Sequence, residues 1–474
     1  MLTYSFENIG RTPLYEHLYK CIRNDIISGN LKAGEKLPSK RNIASHLGIS
    51  MITVENAYAQ LAAEGYIYSM PRKGYFVSSI EVPFPHLQKY DCAPDNSISG
   101  RDDLSHSVGN IIADFTSNQT NAEYFPFSIW SRLIRELLSD SRYDLMRNSP
   151  PAGIPDLRSA ISDQLRTMHG ITVSPDQIIV GAGTEYLYSL IIQLLGYDKV
   201  YGMEDPGYRK IASIYKSNNV HEEYIRMDEH GIIPEELEKK GIDVIHISPS
   251  HQFPTGITMP VGRRYQLLSW ASASPSRYII EDDYDSEFRL AGHPIPPLQT
   301  IDRMEKVIYI NTFSKTLSST VRISYMVLPE HLAREYYRRL GFYSCTVSTF
   351  EQYTLAAFLQ RGYFEKHINR LRTKYHAKRD MFIKALKDNI SSDSLQITGA
   401  DAGLHFLIRI PLNISDEAFC RLAADNGIII KALSDYYALE KKNMGIFIIN
   451  YSSLDDDETE RTAKTISEII SKST

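Results

Sequence analysis

A chain of 474 residues is too long for one hydrophobic core, so two or three domains are expected from a composition of 43% hydrophobic and 23% charged residues. No apolar run reaches the ~20 residues that span a bilayer, and neither a basic n-region nor an apolar h-region opens the chain, which excludes a membrane protein and predicts a cytoplasmic one. The scattered Cys21, Cys92, Cys345 and Cys420 offer no disulfide framework or metal site, and the net charge of −5 divides into +3 on residues 1–79 and −8 on the rest, a basic head suited to phosphates on an acidic body.

In chain order, Thr12-Pro13 predicts a helix start, because proline has no N–H to lose in a first turn. Leu14, Leu18, Ile22 and Ile26 recur every four residues as its inward face, and Gly29 is placed to end it. Ser39 reads as the cap of a second helix with Ile43, Ala44 and Leu47 buried. Gly48 makes the tight turn into a third helix, capped by Ser50, with Val54, Tyr58 and Leu61 inward and Gly65 closing it. Residues 66–69 and 74–78 read as two strands of a wing, turning through 70–73.

The runs Pro38-Ser39-Lys40-Arg41, Leu47-Gly48-Ile49-Ser50-Met51-Ile52-Thr53-Val54 and Gly74-Tyr75-Phe76-Val77 together resemble the GntR-type winged helix. The resemblance implies binding to double-stranded operator DNA, with Ser39, Arg41, Ser50, Thr53, Arg72 and Lys73 touching it, mostly at phosphates. Two positions depart from the family pattern: Met51 and Glu55 stand where basic residues are common. Base readout must then differ, either through Met51 on a thymine methyl and Asn56 on a base edge, or with both facing solvent.

Periodicity is lost over residues 80–113, which read as a tether between two compact bodies. From residue 114 to 474, amphipathic helices alternate with short apolar strands at 177–180, 200–201, 244–248, 278–281, 307–311 and 323–328, predicting a mostly parallel α/β sheet. The polar motifs fall at strand ends, where open α/β sheets bind ligands. They are Gly181-Ala182-Gly183-Thr184-Glu185, Asp205-Pro206-Gly207-Tyr208, His251-Gln252-Phe253-Pro254-Thr255-Gly256, Glu281-Asp282-Asp283-Tyr284-Asp285 and Thr312-Phe313-Ser314-Lys315.

In this order the motifs resemble the fold-type I, aspartate aminotransferase-like enzymes of pyridoxal 5′-phosphate (PLP), which have a large and a small subdomain. Joined to the winged helix, the whole resembles the MocR/GabR subfamily of bacterial transcription factors. The resemblance implies that Lys315 forms a Schiff base with PLP and that Asp282 holds the pyridine nitrogen protonated. It further implies Tyr284 on the phenolic oxygen, Tyr208 on the ring face, and Ala182, Gly183, Thr184, Thr312 and Arg322 around the phosphate. A head-to-tail homodimer follows from the same likeness.

Three departures bear on function. Phe253 stands where aminotransferases carry a cofactor-binding asparagine. A tyrosine usually presented by the partner subunit is replaced by Asn148, with Tyr143 the nearest. The last strand, Gly445-Ile446-Phe447-Ile448-Ile449-Asn450-Tyr451, lacks the arginine that grips a substrate carboxylate, leaving Lys431, Lys210, Arg409 and His405 as candidates to meet an effector anion. A regulator that senses PLP or its adduct with an amine or amino acid is therefore expected, rather than an enzyme. A working aminotransferase with an accessory DNA module is the alternative, and a sensor of PLP alone is a third.

Overall fold

The computed structural model describes residues 2–4, 6, 13–79, 111–117, 121–140, 142–289, 295–440 and 442–473. The chain divides into two compact units, 1–104 and 105–474.

The first unit contains helices α1 (Leu14–Ile27), α2 (Lys40–Leu47) and α3 (Met51–Ala63) and the hairpin β1 (Ile67–Met70) and β2 (Gly74–Val77). Both expected caps form: the Ser39 hydroxyl accepts from the Asn42 N–H at 3.2 Å, and that of Ser50 from the Thr53 N–H at 3.1 Å. Losing such a cap costs about 1 kcal/mol. Gly48 ends α2 at φ 67°, a left-handed conformation that glycine adopts without a side-chain clash. Leu18, Ile22, Val54, Tyr58 and Leu61 are fully buried. Two details differ from expectation. Pro13 lies just outside α1 as its cap, and Leu14 is 44% exposed. Four residues overshoot a 3.6-residue turn by about 40°, so a stripe at every fourth position has rotated about 120° between Ile26 and Leu14. Met70 pairs with Gly74, which confines the wing turn to Pro71, Arg72 and Lys73.

The expected tether lies outside the described residues as far as position 110, and Cys92 with it. Its last residue is already part of the second unit, because β3 (Ala113–Asp114) pairs in parallel with the segment Ile428–Ile429.

Eight strands form the main sheet: β4 (Ile178–Gly181), β5 (Val200–Asp205), β6 (His221–Asp228), β7 (Gly231–Ile232), β8 (Val244–Ile247), β9 (Tyr278–Asp282), β10 (Val307–Thr312) and β11 (Ser324–Val327). Their order is β4-β11-β10-β9-β8-β5-β6-β7. Pairs from β10 across to β6 are parallel, while β11 runs against both its neighbours and β7 against β6. Side chains alternate between the two covered faces: Ile308 and Ile310 enter one core, and Tyr309 the other. β6 is absent from the sequence expectation because it has no apolar run: in His221–Asp228 only Ile225 is buried.

A smaller antiparallel sheet follows the 27-residue helix Tyr363–Asn389. It comprises β12 (Gln396–Thr398), β13 (His405–Arg409), β15 (Lys431–Ala432) and β16 (Ile446–Asn450), in the order β12-β13-β16-β15, with β14 (Ile428–Ile429) on β3. The expected large and small subdomains are therefore both present. The carboxyl ends of β4, β5, β8, β9 and β10 point the same way, which gathers the five polar motifs at one edge.

Candidate cofactor pocket and nucleic-acid interface

At that edge lies a cavity of about 270 Å³ whose wall includes Thr184, Tyr208, Asp282, Tyr284, Thr312 and Lys315. Lys315 follows β10 by three residues. Loss of solvent pushes its amine down to about 8, against the opposing pull of the Asp285 carboxylate. An amine with that value is a usable nucleophile near neutral pH. Asp282 ends β9. Its Oδ2 accepts from the Tyr188 hydroxyl at 2.6 Å, whereas Oδ1 is sealed from solvent and meets no donor among the described residues. His246 adds a second such atom: its Nε2 lies 3.6 Å from Asp282 Oδ2 without a hydrogen bond, while Nδ1 is held at 2.9 Å by Tyr215. Buried carboxylate oxygens are normally paired, so an N–H supplied by a ligand is what Oδ1 lacks.

The opposite end of the cavity is built for an anion. Gly183 has φ +95°, and a Cβ there would lie 2.6 Å from Arg322 Nη2, so only glycine lets the guanidinium approach. Thr184 begins the helix Thr184–Leu195, whose first N–H groups have no partner within the helix. Thr312 accepts from the Ser314 N–H at 3.1 Å, and Ser314 and Ser319 also line the wall. Two expected backbone donors are already taken. The Ala182 N–H donates to Thr346 Oγ1 at 2.9 Å, and Ala182 is not on the cavity wall; the Gly183 N–H donates to Gly181 O at 2.9 Å. A phosphate there would rely on Arg322, the helix end and the hydroxyls instead.

Glu185 holds both Lys210 and Arg322, the latter at 2.7 Å, and these bonds, that of Lys210 first, keep its carboxyl below the usual range. Lys210 thus stands at the anion end of the cavity. Of the other candidates for an effector anion, Arg409 opens onto a separate hollow beside Gln396 and Asp416, and the exposed Lys431 is not on the cavity wall. His405 does line the cavity. Burial, and then His251, hold its pKa well below the ordinary value, so it meets a ligand as a neutral ring rather than a cation. Arg209, unforeseen, lines the wall while donating to Tyr437 O at 3.0 Å.

Tyr208 caps the helix Arg209–Ser217 and meets Phe253 edge-on at 5.8 Å, 43% exposed at the cavity. Sequence reasoning also missed Tyr188, His246, Glu185 and Glu204. Burial pushes the Glu204 carboxyl up to about 8, so it is protonated at neutral pH. Glu185 closes the run 181–185 without an expected role, and the other three have no motif of their own; the fold brings them to the cavity. Tyr143, 90% exposed, and the exposed Asn148 lie away from the wall.

On the head, Ser39, Arg41, Ser50, Arg72 and Lys73 are exposed, and Thr53 is half-buried with its hydroxyl 2.8 Å from that of Ser50. Met51 and Ile52 stand out from the start of α3 at 47% and 69% exposure, and Asn56 is exposed as well. Glu55 occupies Lys40 at 2.6 Å. The free positive charge of the face therefore rests with Arg41, Arg72 and Lys73. Replacing any of these with alanine is expected to weaken binding on every DNA sequence alike, and to reduce the slope of log affinity against log salt by about one for each lost phosphate contact. Salt titration of wild type and the three variants measures this. Unchanged slopes in all three would place the DNA elsewhere.

Comparison with known proteins now decides the family. Residues 14–77 match the model of the bacterial regulatory proteins of the gntR family, and residues 114–466 match that of the aminotransferases of class I and II. The chain is 35% identical to the uncharacterised HTH-type transcriptional regulator YhdI of Bacillus subtilis, over 94% of each chain. It is 31% identical to the probable rhizopine catabolism regulatory protein MocR of Rhizobium meliloti, over 94% of this chain and 91% of that one. The chain belongs to the MocR/GabR-type transcriptional regulators. Among solved structures, the body of this regulator is similar to the kynurenine aminotransferase of Pyrococcus horikoshii, with a TM-score of 0.67 and 25% identity over 77% of this chain and 92% of that one. The aminotransferase class I and II fold is that of PLP-dependent proteins. In this regulator the orphaned Asp282 Oδ1, the lowered Lys315 amine and the Cβ-free cradle at Gly183 fit that cofactor.

Proposed function

We propose that this regulator holds PLP in the Lys315 cavity and, through it, senses an amino compound or PLP itself, altering how its winged helix acts on operator DNA. The observation that carries the reading is Asp282 Oδ1, a sealed carboxylate oxygen with no protein donor on the wall of a cavity that also contains a reactive lysine. When bound, PLP supplies an aldehyde that captures primary amines and a ring that withdraws electrons.

Each residue then has a defined task. Lys315 Nζ would hold the cofactor through its aldehyde carbon. Asp282, held in place by Tyr188, would accept a hydrogen bond from the pyridine nitrogen and so keep it protonated. Arg322, Thr312 and Thr184 bind the phosphate, and Arg322 must exchange Glu185 for it. Tyr208 covers the ring, and Tyr284 donates to the phenolic oxygen. Lys210, which Glu185 also holds, lines the same wall and is the candidate cation for an effector anion.

Two chains pair head-to-tail in this reading, so that each head reads one half-site of an operator in the cytoplasm. Amino-acid turnover is slow at best, because Asn450, the β16 residue on the cavity wall, carries no charge to grip a carboxylate. The test is a footprint of the purified protein on the DNA flanking its own gene, with PLP and single amines added in turn, alongside its visible spectrum. A visible band and a footprint that changes with one ligand are expected. A colourless protein, or a footprint indifferent to every ligand, would overturn the proposal.

A further inference from the structure

His251, in the loop after β8, and Asp285, three residues beyond β9, form a buried pair that the cofactor contacts do not use. His251 Nδ1 lies 2.9 Å from Asp285 Oδ2 and 3.1 Å from Oδ1. A ring nitrogen this close to a carboxylate carries a proton, whether the imidazole is neutral or charged. The Tyr284 hydroxyl oxygen lies 3.2 Å from the same nitrogen, its ring stacked on the imidazole at 6.1 Å. Because Nδ1 has a proton of its own, the hydroxyl can only accept from it. The hydroxyl proton must point elsewhere.

We propose that Asp285 and His251 are positioning residues that hold the Tyr284 hydroxyl as a hydrogen-bond donor directed into the Lys315 cavity. This inference rests on the reading of that cavity as a PLP site and adds a device to it. Asp285 fixes which nitrogen of His251 bears the proton, His251 fixes the direction of the hydroxyl, and the hydroxyl meets the phenolic oxygen of the cofactor.

Two further observations support the arrangement. Gly403 packs directly over the pair: a Cβ there would stand 2.1 Å from His251 Cε1 and 2.5 Å from Asp285 Oδ2. Its carbonyl is fixed at 2.6 Å by the Tyr451 hydroxyl, so the contact is clamped from behind. The titratable groups around the Tyr284 hydroxyl are His251 from the loop after β8, Asp282, Asp283 and Asp285 around the end of β9, and Glu204 from β5. Burial, and then Asp285, raise the hydroxyl well above the ordinary tyrosine value, so it keeps its proton to donate.

The sign of the effect follows from hydrogen bonding. A protonated Lys315 linkage holds its proton against the phenolic oxygen of the cofactor. A donor from Tyr284 competes for that oxygen, so the linkage gives up its proton at lower pH. Losing the donor therefore raises the midpoint. In Asp285→Asn an amide N–H replaces the carboxylate acceptor, Nδ1 becomes the acceptor, and the Tyr284 proton turns away from the cavity.

The experiment is a pH titration of the visible band of PLP-loaded full-length protein. Tyr284→Phe is expected to raise the midpoint by about one unit, a tenfold change in proton affinity, whereas in Asp285→Asn the lost carboxylate charge, which pulls the Lys315 amine up, offsets part of the rise. His251→Phe, which keeps the stacked ring and removes the donor, should shift it in the same direction. His251→Gln, which restores an N–H, should lie closer to wild type than His251→Phe. Near-UV circular dichroism checks that each variant retains its packing. A midpoint unchanged in His251→Phe while Tyr284→Phe shifts would overturn the inference and leave the PLP site standing. A wild-type protein without a band would remove both.

Discussion

Lys315→Ala is expected to be colourless after PLP is added and passed through a desalting column, whereas the wild type keeps a visible band that borohydride bleaches while fixing the cofactor to the chain. Phosphate and ring contacts alone would hold the cofactor only reversibly in the variant. The rate at which wild type acquires the band carries a second signature, because the neutral amine is the form that reacts. Its value of about 8 lies below the ordinary 10.5, so roughly a tenth of the lysine is uncharged at pH 7, about 300 times the fraction of an exposed lysine. The rate should climb tenfold per pH unit and level off above pH 8. Stability of the cofactor-free protein has the same origin. The folded state binds fewer protons at Lys315 than the unfolded chain between pH 8 and 10.5, so this group makes stability rise with pH across that window. Lys315→Ala should lack that rise. A yellow, borohydride-reducible Lys315→Ala protein would move the covalent site to another lysine.

How much of this was legible in the sequence depended on how local the determinants are. Ser39, Ser50 and Gly48 act within three or four residues of themselves, and each does in the structure what its position implies. Lys315 and Asp282 sit at strand ends, and a mostly parallel sheet carries strand ends to one edge, so both could be placed without knowing any contact. The misjudged residues are those whose fate depends on distant partners. Ala182 lies in the right loop, yet Thr346, 164 residues later, takes its N–H. Arg409 and Lys431 lie on strands of the small subdomain, and strand register decides which face they share. His405 is on the cavity wall, but burial, and then His251, leave it neutral. Glu185 ends the run 181–185 and Tyr188 lies in the helix after it; their significance comes from Arg322 and Asp282, which are 137 and 94 residues away. Composition offers no signal for such pairs.

The second large effect is a separation of sensing from DNA binding. Lys315→Ala should bind the operator nearly as wild type does, yet show no change in footprint when effector is added. The head supports this independence. Among the described residues its hydrophobic core, from Leu18 to Val77, is built from the head's own side chains. The response is expected to vanish because a ligand shifts an equilibrium only by its differential affinity for the two states, and the covalent capture of an amine is what supplies that difference. Couplings of this kind amount to about 1–3 kcal/mol, so effector should alter operator affinity of the wild type by about 5- to 150-fold, a range that titrated footprinting resolves. Arg41→Ala completes the test from the other side, since it should keep the full visible band and its spectral response to the amine while losing operator affinity at all effector concentrations. Equal effector responses in wild type and Lys315→Ala would mean that the signal enters through a site other than this cavity. A joint loss of band and DNA binding in Arg41→Ala would mean that the two bodies do not fold independently.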